Sequence, residues 1–127
     1  MKKKILLTIM SFMILSSIAV SAASRSSLEK EKFTGWNQNT YYQDGNMVTN
    51  NWINIRDKQY YLKDDGNKAI GWLQLNNNWY YFNSEGAKEV GWIFNNGKYY
   101  YLNDDGTMAH DTYIGNYYVG SDGSWTK

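Results

Sequence analysis

After residue 35 the chain repeats itself at a fixed interval. Asn51-Trp52, Gly71-Trp72 and Gly91-Trp92 stand twenty residues apart, and each tryptophan is followed eight residues later by a tyrosine pair, Tyr60-Tyr61, Tyr80-Tyr81 and Tyr100-Tyr101. A glycine lies five residues beyond each pair, at Gly66, Gly86 and Gly106. Two shortened copies flank this core: Gly35-Trp36 with Tyr41-Tyr42 and Gly45, then Tyr117-Tyr118 with Gly123. Self-similarity at this period is the mark of a solenoid, in which one small unit buries its apolar surface only by stacking on the next. It also sets aromatic side chains at equivalent points along one molecule, so that one kind of ligand site can be made several times over.

One unit shows what the repeated element is. Gly71-Trp72-Leu73-Gln74-Leu75 alternates apolar and polar from Trp72, as a half-buried strand does. Asn76-Asn77-Asn78 is a turn of residues tolerant of positive φ, and the equivalent triplets are Arg56-Asp57-Lys58 and Asn96-Gly97-Lys98. Trp79-Tyr80-Tyr81-Phe82 is a second strand, so the unit is a β-hairpin with a three-residue turn. Asn83-Ser84-Glu85-Gly86 turns the chain towards the next hairpin. An isolated hairpin is marginal in water, which is why the units come in series. Side chains alternate along a strand, so Trp79 and Tyr81 face one way and Tyr80 and Phe82 the other. One set can build the core while the other lines a groove, and alternation does not say which. The expected fold is all-β, a solenoid of about five stacked hairpins, three full and two truncated, over residues 35–127.

Residues 1–23 lie outside that fold. Lys2, Lys3 and Lys4 precede a mostly apolar stretch, and small residues follow at Ser21-Ala22-Ala23, the pattern of a cleaved secretory signal peptide. The apolar stretch is sixteen residues, short of the roughly twenty that span a bilayer. Residues 24–34 read as a polar leader. Cleavage after Ala23 removes three lysines and no acid, leaving ten basic and twelve acidic residues, a net charge of −2. Such a chain has no electrostatic footprint for nucleic acid or for an anionic membrane, and no membrane insertion is expected after cleavage. Cysteine is absent, which excludes disulfides and a thiol-bound zinc. A mature chain of about 104 residues therefore draws its cohesion from aromatic burial.

Candidate chemistry is sparse. The acids fall in Asp44-Gly45, Asp64-Asp65-Gly66, Asp104-Asp105-Gly106 and Asp122-Gly123, which is turn chemistry and matches no calcium-loop pattern. His110 is the only histidine and has no nucleophile or second ligand at a telling spacing. No acid–base pair, metal or cofactor is assigned, and no enzyme activity is expected. The aromatic set is different. Trp72 and Trp79 on one hairpin, with Tyr100 of the next, can wall a small hollow with three electron-rich faces, suited to a quaternary ammonium group. The same faces would also stack on sugar rings.

The segments Gly71-Trp72…Trp79-Tyr80-Tyr81-Phe82…Gly86 and Gly91-Trp92…Gly97-Lys98-Tyr99-Tyr100-Tyr101…Gly106-Thr107-Met108-Ala109 resemble the cell-wall-binding, or choline-binding, repeats of Gram-positive surface proteins. Similar units occur in phage lysins, glucan-binding proteins and clostridial toxins. The resemblance runs from Gly35 to about Trp125. It implies a choline cage between consecutive hairpins, built here from Trp72, Trp79 and Tyr100, and again from Trp92, Tyr99 and Tyr117 with Met108 nearby. An earlier set, Trp52 with Tyr80, has Gln59 in place of its second aromatic, and the first, Trp36 with Tyr60, has Thr40 before its own tyrosines. Lys68 and Lys88 stand where many choline-binding repeats carry methionine. A lysine turned into a cage would repel choline, whereas one extending into solvent would not.

The resemblance implies a non-catalytic, secreted, cell-wall-associated module held by a choline-bearing polymer such as teichoic acid. A glucan- or saccharide-binding module and a structural or adhesive surface protein are the alternatives.

Overall fold

The computed structural model describes residues 32–126. The expected signal peptide, and all of the leader up to residue 31, lie outside the described residues. Those described form strands and turns without any helix, and the fold is an all-β solenoid of five hairpin units. The first unit is a three-stranded sheet of β1 (Gly35–Asn37), β2 (Thr40–Gln43) and the short β3 (Asn46–Met47). Four two-stranded units follow: β4 (Asn51–Ile55) with β5 (Lys58–Leu62), β6 (Gly71–Leu75) with β7 (Asn78–Phe82), β8 (Gly91–Asn95) with β9 (Lys98–Leu102), and β10 (Thr112–Ile114) with β11 (Tyr117–Val119). All pairings are antiparallel. The folded unit reaches two residues before Gly35. The carbonyl of Phe33 accepts a hydrogen bond from the Gly45 amide at 2.7 Å, and its ring lies 6.1 Å from that of Tyr42.

The hairpin turns are tighter than the sequence suggests. Leu75 pairs with Asn78, Ile55 with Lys58 and Asn95 with Lys98, so each loop has two residues, and the third member of each expected triplet begins the next strand. Both loop residues take positive φ: 49° and 64° at Arg56 and Asp57, 49° and 66° at Asn76 and Asn77, 49° and 80° at Asn96 and Gly97. This is the mirror-image turn whose twist matches that of the strands. Asparagine and glycine adopt it readily, whereas an arginine there is strained by roughly 1 kcal/mol. Arg56→Asn is therefore expected to raise the thermal midpoint by several degrees, since about 1 kcal/mol shifts a domain of this size by roughly 4–8 °C. A melt followed by circular dichroism checks it, and an unchanged or lower midpoint contradicts it.

The turns between hairpins use the acids. The amide of each turn glycine, Gly66, Gly86, Gly106 and Gly123, donates to the carbonyl three residues back at 2.7–3.0 Å. The carboxylates of Asp65, Asp105 and Asp122 each accept the amide two residues on, from Asn67, Thr107 and Ser124, at 2.9 Å. In the third unit the Asn83 side chain accepts instead, from the Glu85 and Ala87 amides.

These bonds stabilise the charged form and hold all three aspartates below their usual pKa. For Asp122 the value falls to about 2, chiefly through Ser124, with Lys98 adding to it. A depressed carboxylate contributes stability above its unfolded value of 3.8 that is lost as pH falls through the folded one. The thermal midpoint should therefore decline between about pH 4 and pH 2. Asp122→Asn should flatten part of that decline, and an identical acid limb in the variant would show that Asp122 plays no part in it.

The core is a column. Leu62, Phe82, Leu102 and Val119 close the second strand of successive hairpins, and all four are fully buried. Each is bridged to a residue two positions after the turn glycine: Lys68, Lys88, Met108 and Trp125. The amides of those four residues donate at 2.8 Å to carbonyls of the preceding hairpin, at Asn39, Gln59, Trp79 and Tyr99. Neighbouring hairpins are thus joined by backbone as well as by side chains.

Candidate aromatic cages between hairpins

The two tyrosines of each pair do different work. The second member, Tyr61, Tyr81 or Tyr101, sits opposite the tryptophan of its own hairpin, with ring centroids 5.1–5.2 Å apart. The first member, Tyr60, Tyr80 or Tyr100, meets the tryptophan of the hairpin before it, at 5.0–5.2 Å. Both faces of a hairpin are therefore packed, and Trp36, Trp52, Trp72 and Trp92 are each wedged edge-on between two tyrosines. The division into a core face and a groove face is resolved in favour of both.

At the third junction the structure brings Trp72, Trp79 and Tyr100 together. Trp72 stands 6.5 Å from Trp79 at 83° and 5.0 Å from Tyr100 at 69°. Its indole N–H donates to Asn95 Oδ1 at 3.2 Å, and the Asn95 amide donates to the Tyr81 hydroxyl at 3.2 Å, which fixes the wall from behind. Trp79 keeps 40% of its surface exposed, so this wall is open to a ligand. Met108 is joined to this junction by the hydrogen bond that its backbone amide donates to the Trp79 carbonyl. Its thioether lies where a Cβ on Gly123 would stand, and the turn favours glycine there because its φ is +80°.

At the fourth junction Trp92, Tyr99, Tyr117 and Trp125 line an open hollow of about 310 Å³. Tyr117 is 5.8 Å from Trp92 at 83° and 5.3 Å from Trp125 at 90°, while Tyr99 is 6.0 Å from Trp125. Trp92, Tyr99 and Tyr117 are 40–50% exposed, so the rings present free faces to solvent. Four aromatic residues line the hollow, and no charged residue does. Such a site offers face attraction and apolar contact but no carboxylate to accept a hydrogen bond.

Trp125 was not among the residues singled out from the sequence. Its signal was its place two residues after Gly123, the offset that Met108, Lys88 and Lys68 hold from their own glycines.

The two earlier junctions have fewer aromatic walls. Trp52 lies 5.2 Å from Tyr80 and 5.7 Å from Phe82, and Gln59 occupies the place of Trp79. Trp36 lies 5.1 Å from Tyr60. Strand pairing in the first unit puts Thr40, Tyr41 and Tyr42 where the second unit has Tyr60, Tyr61 and Leu62, so Asn39, rather than Thr40, corresponds to Gln59. Asn39 brings no third ring. His110 pairs with Asp111 at 2.8 Å on the exposed link between hairpins, and both residues stay outside the cages.

This geometry is that of a known class, a hairpin solenoid with aromatic hollows between its units. A choline-binding repeat model matches residues 88–125, and a cell wall binding repeat model matches residues 50–68 and 70–88. The choline binding domain of Spr1274 in Streptococcus pneumoniae is 38% identical with a TM-score of 0.59, the match covering 63% of this chain and 96% of that one. CbpJ from Streptococcus pneumoniae is 38% identical with a TM-score of 0.68, over 74% of this chain and 34% of that one. Choline binding protein F of Streptococcus pneumoniae, crystallised in the presence of a peptidoglycan analogue, is 34% identical with a TM-score of 0.68, over 75% and 34%. No match was found among curated proteins.

The chain belongs to the choline-binding repeat family. It spans about a third of the length of CbpJ and choline binding protein F, and all of its described hairpins are repeat units.

Proposed function

We propose that the protein is a secreted, non-catalytic module that attaches to a choline-bearing polymer of the cell wall through its third and fourth junctions. The observation that carries this reading is the four-ring hollow of Trp92, Tyr99, Tyr117 and Trp125, which is lined by aromatic faces and nothing charged. A trimethylammonium group presents only polarised methyl groups, and aromatic faces attract it without a hydrogen bond. Trp72, Trp79 and Tyr100 repeat the three-walled arrangement one unit earlier. Proteins with the same repeats include one named for choline binding and one crystallised with a peptidoglycan analogue, which supports a wall polymer as the target.

The test is retention of the mature protein on a quaternary-amine resin followed by elution with free choline. Release by choline, and not by an equal concentration of sodium chloride, is the expected result. Retention on dextran beads with indifference to choline would assign the same aromatics to saccharide stacking, and binding to neither support would remove the reading.

A further inference from the structure

The first two junctions differ from the others in what fills them. Lys88 Nζ lies over the Trp52 ring, 5.5 Å from its centroid, and Lys68 Nζ lies over the Trp36 ring at the same distance. The Lys88 amide is fixed to the Gln59 carbonyl and the Lys68 amide to the Asn39 carbonyl, each at 2.8 Å, so both stems start from the preceding hairpin's wall. Their methylenes then run across the turn glycine of the next unit. A Cβ on Gly106 would come within 2.6 Å of Lys88 Cδ, and one on Gly86 within 2.8 Å of Lys68 Cδ. The Lys88 ammonium also donates to the Asp105 carbonyl at 2.8 Å. Burial lowers its pKa from the ordinary lysine value, with the Asp105 carboxylate opposing.

We infer that Lys68 and Lys88 are built-in cations that occupy the first two aromatic junctions and close them to an external ammonium ligand. An ammonium within about 6 Å of a tryptophan centroid already makes the cation–π contact that a ligand would make. A second cation at the same ring would meet like-charge repulsion. The same step in the chain carries Met108 at the third junction and Trp125 at the fourth, both neutral, so ligand binding is confined to the C-terminal half. Only the ligand-counting part of this inference rests on the cage reading of the later junctions.

Two measurements test it. In the wild-type protein, the Lys88 ε-methylene protons should be shifted upfield by the Trp52 ring current, and Trp52→Leu should return them to the position of a free lysine. This needs no ligand, so it stands even if choline is not recognised. In a titration with tetramethylammonium followed by indole N–H resonances, Trp92 should move and Trp52 should not. The double variant Lys88→Met with Gln59→Tyr should gain one further site, seen as a new response at Trp52. Unshifted Lys88 methylenes in the wild type, or a Trp52 response to tetramethylammonium in the wild type, would overturn the inference. If no indole responds in any variant, the cage reading fails and the ring-current shift alone decides the placement of Lys88.

Discussion

Trp79→Ala is expected to lower retention on a densely choline-substituted surface by about 10²–10⁴-fold while leaving the fold intact. A single cation–π contact contributes only about 0.5–2 kcal/mol, so one cage around one small cation is weak. Two cages on one rigid solenoid convert the second encounter into an intramolecular one, and an avidity gain of roughly 10²–10⁴ follows without any new contact. Removing either cage removes that gain. Trp79 is the suitable residue because it is 40% exposed and stands 6.5 Å from Trp72 at the third junction. Trp72 would mix two effects, since it is wedged between Tyr81 and Tyr100 and bonded to Asn95.

Trp36→Ala, at a junction without a third ring, should leave retention close to wild type. Surface binding at high and low choline density separates the cases, because the loss should be large at high density and small at low density. Undiminished retention by a folded Trp79→Ala protein would mean that the third hollow binds nothing.

Phe82→Ala should cost about 3–5 kcal/mol, the usual price of emptying a fully buried aromatic site. The side chain has no exposed surface and lies 5.7 Å from Trp52, so its loss opens a void between the second and third hairpins. A domain of this size has roughly 5–15 kcal/mol in all. A solenoid is held by nearest-neighbour contacts, so damage at one junction need not spread to the next. The expected result is uncoupling. Amides of β4 to β7 should exchange rapidly with deuterium while those of β8 to β11 stay comparatively protected. Urea unfolding should broaden or split into two steps. A single sharp transition at the wild-type midpoint would show that the junction is not what joins the two halves.

Much of this architecture was legible in the chain. The twenty-residue spacing, the alternation within each strand and the asparagine- and glycine-rich turns together dictate a hairpin solenoid, and that is the fold. The details that escaped have physical causes. The turn triplets at residues 56–58, 76–78 and 96–98 look like loops because they hold only polar residues and glycine. Strand twist, however, favours a two-residue mirror-image turn, and Lys58, Asn78 and Lys98 are strand residues that happen to be exposed. The first unit is shortened, so its Tyr41-Tyr42 imitates the later pairs while pairing one step out of register with them.

At the candidate site, Trp72, Trp79 and Tyr100 were readable as neighbours because their spacing is that of the hairpin. Trp125 was not, since the residue after the turn is methionine, lysine or tryptophan in different units and shows no chemical pattern. Their shared offset from the turn glycine is the one sequence mark they have, and the backbone bond to the preceding hairpin is what makes them structurally equivalent. The placing of the two lysine ammoniums over Trp36 and Trp52 is likewise a matter of where a flexible chain ends, which spacing does not determine.

Each hollow is assembled half from one hairpin and half from the next, with the first tyrosine of a pair always meeting the tryptophan behind it. Valency in this architecture is therefore counted by seams rather than by units. Excising residues 71–90 would bring Trp52 against Tyr100 and remove one seam, and duplicating them would add one, with no new side-chain complementarity to be found. Unequal recombination between copies of a twenty-residue segment can in this way add or remove candidate aromatic sites in single steps. Which residue stands two places after the turn glycine then decides whether the seam gained is open to a ligand or already filled.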